Sequence, residues 1–375
     1  MDLELLKERS RIFKTVRAFF DDRDYLEVDT PILAPHLIPE TCLEVFETRY
    51  VLPPGPVPKG SPESPSESDN TLDKNPANKR LASKAYWLVP SPELWMKRLL
   101  ADHRHSIYQI SKCFRNGEST GRIHSPEFTM LEYYTVGADY RSSINITEDL
   151  FRELLRSQYS GSIPTESSRK TMSSEWPKDL RPPFLRLTME EAFAEWAGFP
   201  LYTVAQEGRD ALAEKARNMG LPVPDTFELG DLYNLIFVHA VEPNLPRDTP
   251  VVLMDYPAFV PCLAKNVPGS LAKERWELYV RGIELANCYS EETDPEEIRN
   301  YFDAEGAAKR ENALVPHAID TDYWKTFIPR RSPAGTMQGF PACSGVAMGL
   351  DRLVMAFCGK STIDSVLPFP MTEGY

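Results

Sequence analysis

Two arginines, Arg115 and Arg352, sit in the stretches of this sequence best suited to phosphate chemistry. They are CFRNGESTGRIHSPEFTMLEYY at residues 113–134 and SGVAMGLDRLVM at 344–355. A guanidinium fork can neutralise a phosphate and a carboxylate together, which favours attack of one on the other. Taken singly, either arginine reads better as a surface residue. A third stretch, WELYVRGIELANCYSEE at 276–292, carries Glu277, Glu284, Glu291 and Glu292 in an otherwise apolar setting. Unpaired carboxylates are costly there unless something positive meets them. Phosphates with magnesium would supply that reason, and a solvated face is the plain alternative. In PSPELWMKRLL at 90–100, Glu93 stands in a helical first turn beside Ser91. An acidic residue is favoured there by the helix dipole whatever else it does.

The elements that must carry these residues follow from periodicity. Residues 2–22 have apolar positions at helical spacing, and a short extended piece at 25–29 ends before Pro31. Core pattern resumes at 86–89, and a helix is expected over 92–101 with proline in its first turn. Residues 107–114 and 128–136 read as strands flanking a polar loop with Gly117 and Gly121, as in an antiparallel hairpin. Alternation places Phe128, Met130, Glu132 and Tyr134 on one face of the second strand. That row suits either a binding surface or a half-buried face with an ion-paired glutamate. Helices are expected at 188–197, 204–218, 229–241 and 294–312, strands at 251–254 and 276–284, and a strand running into a helix over 343–358. An odd spacing of seven puts Glu277 and Glu284 on opposite faces of a regular strand, so a bulge near Gly282 is expected to bring them together. The Pro- and Ser-rich stretch 51–85 and the weakly patterned 157–183 read as surface insertions in a single domain spanning 1–375. Hairpins with few βαβ units indicate an α+β fold, an antiparallel sheet flanked by helices.

Together the arginine stretches resemble motifs 2 and 3 of the class II aminoacyl-tRNA synthetases, lysyl branch. That resemblance implies ATP-dependent activation of an amino acid. It assigns Arg115 to the α-phosphate and substrate carboxylate, Arg352 to the γ-phosphate end, and Phe128 to adenine stacking, with His124 near the phosphates. Glu132 and Tyr134 would hold the substrate's side-chain amine together with Glu291. Glu93, with Ser91 nearby, would hold the α-amine, and Asn287 the carboxylate. Glu277 and Glu284 would bind Mg2+. The family usually reads FRNE and HNPEF; here Gly117 and Ser125 replace the glutamate and asparagine, and the resemblance implies that Glu118 would supply the missing contact to adenine. The first helix with Pro31 resembles motif 1, implying a homodimer.

Shared strings (FETR, PEFTMLE, VEPN, GIELAN and CSGVAMGLDRLVM) narrow the resemblance to a truncated branch, the elongation factor P–(R)-β-lysine ligases. Because the motif 1 helix begins almost at Met1, no anticodon-binding domain is expected. Ala347 stands where lysyl-tRNA synthetases carry glycine, which would narrow the pocket floor toward a β-amino acid; the bland reading is packing beside Val346 and Met348. The implied substrates are ATP with lysine or β-lysine, and the implied acceptor is a lysine of elongation factor P. Acylation of tRNA and a catalytically silent binding paralogue are the alternatives.

The 375 residues, 42% hydrophobic, suffice for a large core. A formal charge of −13 argues against broad nucleic-acid binding and leaves a local basic patch open. The amino-terminal residues lack the apolar run of a signal peptide, and no stretch is apolar enough to cross a bilayer, so a cytoplasmic location is expected. Six scattered cysteines without a C-x-x-C pair suit reduced thiols. Gly359-Lys-Ser-Thr is not a Walker A loop, because Val354 stands where its first glycine is required.

Overall fold

The computed structural model describes residues 2–52, 83–118, 122–159, 176–331 and 335–371. Along the chain run α1 (Leu3–Asp21), β1 (Leu26–Glu27), β2 (Leu33–Ala34), β3 (Phe46–Val51), β4 (Ser83–Leu88), α2 (Glu93–His103), β5 (Ile107–Phe114), β6 (Glu127–Val136) and α3 (Tyr140–Tyr159). Next come β7 (Leu185–Thr188), α4 (Met189–Trp196), α5 (Leu201–Gln206), α6 (Arg209–Asn218), α7 (Leu229–Ile236), β8 (Val251–Pro257), β9 (Ala272–Val280) and β10 (Ile283–Ser290). The chain continues through α8 (Pro295–Asn312), β11 (Arg330–Arg331), β12 (Met337–Gln338), β13 (Cys343–Gly349) and α9 (Leu350–Phe357).

Eight strands form the main sheet in the order β1-β5-β6-β13-β10-β9-β8-β7. Its six inner strands are antiparallel and only the edge strands β1 and β7 pair in parallel. The α+β expectation is met. Period-two alternation sorts the side chains into two layers. Leu131, Tyr133, Trp276, Leu278, Cys288, Val346 and Met348 face a core built with α1, α3 and α9. Their neighbours Glu132, Tyr134, Glu277, Asn287, Tyr289 and Ala347 line cavities on the opposite face. There α2, α8 and the small β2-β4-β3 sheet form one wall around a second core, and α4–α7 pack against β8 to form a third.

Asp2 caps α1 by accepting from the Leu5 amide at 2.8 Å. The helix buries Leu5, Ile12, Val16, Phe19 and Phe20 inside the monomer, each contributing about 2 kcal/mol. Helix α3 has no counterpart in the sequence expectations, although Tyr140, Ile144, Phe151 and Leu155 repeat at helical spacing along its buried side. The expected insertions 51–85 and 157–183 fall largely outside the described residues. Their described ends include regular structure: 83–85 open β4 and 157–159 close α3.

Two expectations are corrected. The helix expected over 204–218 is broken at Gly208, where φ is 102°, into α5 and α6. Residues 276–284 are not a single strand with a bulge near Gly282. Arg281 and Gly282 both take positive φ (55° and 74°) and turn the chain, so β9 and β10 form a hairpin. Only glycine adopts that backbone freely. The bulge lies further on, between Glu284 and Ala286.

Candidate active site

The site lies across the cavity-facing side of β6, β13, β10 and β9. Ala347 on β13 pairs with Glu132 on one side and Asn287 on the other. Asn287 in turn pairs with Glu277, and Glu284 with Tyr279. Cross-strand partners face the same way, so the hairpin and its bulge put both Glu277 and Glu284 on the cavity side.

At one end, a void of about 600 Å³ is lined by Arg115, Glu118, His124, Phe128, Glu284, Asn287, Ala347 and Arg352, among others. Arg115 follows β5, its guanidinium 5.2 Å from the Phe128 ring centroid and 3.6 Å from Glu118. Its buried Nε has no hydrogen-bond partner. Arg352 projects from the first turn of α9, donating from Nε to the Ile123 carbonyl at 3.1 Å and from an Nη to the Glu284 carbonyl at 2.7 Å. Asp351 fixes this turn. Its carboxylate accepts the Thr129 amide at 2.6 Å and pairs with Arg9 of α1 at 2.7 Å. Burial, reinforced by Arg352, depresses the His124 pKa, so the imidazole is neutral among the arginines at pH 7. Gly117, at φ 70°, turns the chain and leaves Glu118 in the cavity wall.

Toward the other end, Ser91, Glu93, Glu132, Tyr134, Asn287, Glu291 and Ala347 line a second void of about 480 Å³. Arg115, Met130, Asn287 and Ala347 border both voids, which therefore adjoin. Glu132 is only 3% exposed; one carboxylate oxygen accepts from Tyr134 at 2.7 Å and the other has no partner. Burial, followed by Glu93, pushes its pKa up to about 8. Lys97 was not anticipated. It lies one turn after Glu93 on α2, is 1% exposed, and bridges Glu93 at 2.5 Å and Glu291 at 2.6 Å. Burial disfavours its ammonium, but Glu291 and Glu93 outweigh that and hold the pKa well above the lysine range. The i,i+4 spacing of Glu93 and Lys97 was the available signal. Gly345 is equally constrained: a Cβ there would overlap Glu291 and the Tyr134 ring.

The carboxylates of the β9–β10 hairpin differ. Glu277 is saturated, accepting from Tyr256 at 2.6 Å and Tyr279 at 2.8 Å and pairing with Arg275 at 2.5 Å. Glu284 has no such donors among the described residues, and burial, then Glu277, raises its pKa to about 7. Of the two expected magnesium ligands, Glu284 fits the role with phosphate oxygens, whereas Glu277 is already neutralised by its own cation. No group of three or more His, Cys, Asp or Glu side chains among the described residues forms a metal cage. Glu292 lies apart from the site, accepting the amides of Thr293 and Asp294. All six cysteines are free thiols. Among the described residues no helix is long and apolar enough to cross a membrane.

The comparisons with known proteins converge. The family model described as tRNA synthetases class II (D, K and N) matches residues 70–373. A protein of Avibacterium paragallinarum named elongation factor P–(R)-β-lysine ligase is 32% identical over 98% of this chain and 95% of its own length. Its namesake in Vibrio cholerae serotype O1 is 33% identical over 97% and 94%, and that of Proteus mirabilis 32% over 98% and 94%. The chain belongs to the class II tRNA-synthetase family, in the branch of the elongation factor P–(R)-β-lysine ligases.

Proposed function

We propose that this protein activates (R)-β-lysine, or lysine, with ATP as an aminoacyl-adenylate and passes the acyl group to a lysine side chain of elongation factor P. The observation that carries this reading is the unpartnered, buried oxygen of Glu132 beside Tyr134, in a void adjoining the one that holds Arg115 and Arg352. A buried carboxylate with a free oxygen calls for a cation, and a substrate ammonium supplies it. The names of the relatives supply the acceptor.

In this reading Phe128 stacks on adenine, with Glu118 at its edge. Arg115 neutralises the α-phosphate and, with Asn287, orients the substrate carboxylate for in-line attack at phosphorus. Arg352 and the neutral His124 hold the outgoing pyrophosphate. Magnesium, held by Glu284 and phosphate oxygens, would add charge neutralisation, while Glu277 stays paired with Arg275 beside it. Glu132 and Tyr134 take the distal amine. Glu291 joins them there, and Glu93, which shares Lys97 with it, takes the second amine with Ser91 beside it. Ala347 sets the floor between Glu132 and Asn287. The exposed Leu3, Leu6, Leu26, Ile32 and Leu33 support a homodimer across the α1 face.

Amino-acid-dependent ATP–pyrophosphate exchange tests the first half. Strong exchange with (R)-β-lysine is expected, less with L-lysine, and none without amino acid. Exchange with neither compound overturns the reading. Transfer of labelled acyl group to tRNA rather than to elongation factor P would overturn the acceptor assignment.

A further inference from the structure

A third cavity remains unassigned. It shares Glu40, Leu43, Glu93, Arg115, Asn287 and Tyr289 with the amine pocket. From there it runs out past Tyr301 and Glu305 to Thr41, Cys42 and Pro261. The last three are exposed, so the cavity opens to solvent. We infer that this cavity admits the ε-ammonium of the acceptor lysine and that the Glu40 carboxylate is the base that deprotonates it. The inference rests on the function proposed above and names two parts of that site.

Three observations carry it. The first is position: Glu40 borders the same two cavities as Arg115 and Asn287, the residues facing the reacting carboxyl. The second is how Glu40 is held. Its backbone carbonyl accepts Lys309 Nζ of α8 at 3.1 Å, and the same ammonium also reaches the Leu43 carbonyl. The next residue, Thr41, donates its hydroxyl to Glu305 at 2.9 Å. The backbone around Glu40 is thus tied to α8, while its carboxylate has neither an ion pair nor a hydrogen bond among the described residues. The third is charge. Five carboxylates line the cavity (Glu40, Glu93, Glu277, Glu284 and Glu305) against the guanidiniums of Arg115 and Arg275. Such a wall draws in an ammonium and repels the phosphates of a nucleic acid.

The electrostatic setting suits a base working near neutrality. Burial, then Glu93 of α2, raises the Glu40 pKa to about 7, opposed by Arg115, Lys97 and Lys309. Tyr289, Tyr301 and Cys42 also face it, and Glu40 contributes to holding all three protonated. The transfer balances as follows. The acceptor ammonium gives one proton to Glu40, which releases it to solvent, and the neutral nitrogen attacks the acyl carbon. The carbon–oxygen bond to AMP then breaks, AMP leaves with the electron pair, and the nitrogen loses its second proton to water.

The test separates activation from transfer. Adenylate formation is followed by (R)-β-lysine-dependent pyrophosphate exchange, and transfer by single-turnover labelling of elongation factor P. Glu40→Gln is expected to slow transfer about 100-fold more than exchange. The unaltered protein should gain transfer rate with pH up to about 7 and then level. The Gln variant should instead keep rising toward the acceptor amine's own pKa, and Glu40→Asp should restore the plateau. Val260→Trp, which fills the cavity wall away from the other two voids, should also slow transfer more than exchange. Equal loss of both steps in Glu40→Gln, an unchanged pH profile, or full transfer by Val260→Trp would overturn the inference. Absence of exchange or of labelling in the unaltered protein would instead overturn the function on which it rests.

Discussion

The two ends of the cleft solve opposite electrostatic problems. At the end proposed for the nucleotide, Arg115 and Arg352 are positive groups aimed into a cavity, anchored through carbonyls, a ring and one long pair to Glu118. At the other end, the proposed amine pocket, Glu132 and Glu291 are buried and Glu93 half-buried, and the cation paired with them among the described residues is Lys97. The first end stays charged whether or not anything binds. The second is only partly neutralised, by the pair with Lys97 and by a proton on Glu132, and so depends on pH and on ligand. Substitutions should therefore act differently at the two ends: mainly on rate at the arginines, and on affinity and stability at the carboxylates.

The largest effect is expected from Arg352→Ala or Arg115→Ala. Removing one preorganised positive group from developing phosphate charge costs about 1,000-fold in rate. Pyrophosphate exchange should fall by that order, while urea unfolding shifts little. A comparable loss of stability instead would place the arginines in the folding core and break the contrast.

Lys97→Met is the converse experiment. It leaves the buried Glu291 and the half-buried Glu93 without their shared cation, a loss of about 3 kcal/mol in unfolding free energy. The loss should shrink at acid pH, where protonation removes the uncompensated charge. A loss independent of pH would assign the effect to packing alone.

Glu132→Gln should raise the KM for the diamino acid about 100-fold. Its pH behaviour sharpens the contrast. With a folded pKa of about 8, above the ordinary carboxylate value, the folded state holds a proton that the unfolded chain gives up. Glu132 therefore costs stability progressively as pH rises through the acid range to about 8, and the Gln variant should melt above the unaltered protein at pH 8 but not at pH 4. An incoming ammonium needs the ionised form. Binding at pH 7 should release a proton, seen by calorimetry in buffers of different ionisation enthalpy, and affinity should climb toward pH 8. Proton release that persists in Glu132→Gln would move the titrating group elsewhere, with Glu291 the first candidate.

How much of this was legible in the sequence divides along the same line. That Arg115, Phe128 and Arg352 share one cavity was readable because they lie in short contiguous stretches with fixed local geometry, a strand end and a helix start. The row Phe128, Met130, Glu132 and Tyr134 followed from alternation alone. Spacing could not disclose that 276–284 reverses direction, since the positive φ at Arg281 left no mark stronger than the adjacent Gly282. Nor could it pair Glu291 with Lys97, nearly two hundred residues away in the chain, or bring Glu40 to the wall shared with Arg115. Those contacts depend on how α2 and α8 pack over the sheet. Local patterns carry no information about that packing.

The smallest effect, and the most informative about substrate choice, is expected at Ala347. Its Cβ projects into the floor between Glu132 and Asn287, where the two ends of the cleft meet. A single methyl in a pocket changes discrimination by about 1–3 kcal/mol. Ala347→Gly should therefore shift the ratio of kcat/KM for (R)-β-lysine over L-lysine about tenfold toward L-lysine, with little change in maximal exchange rate. The neighbouring Gly345 supplies the control. A methyl added there strikes Glu291 and Tyr134, so Gly345→Ala should weaken both substrates together rather than trade one for the other. If Ala347→Gly also weakens both equally, the methyl is packing, and the choice between an α- and a β-amine must be made higher on the wall, at Glu93 and Lys97.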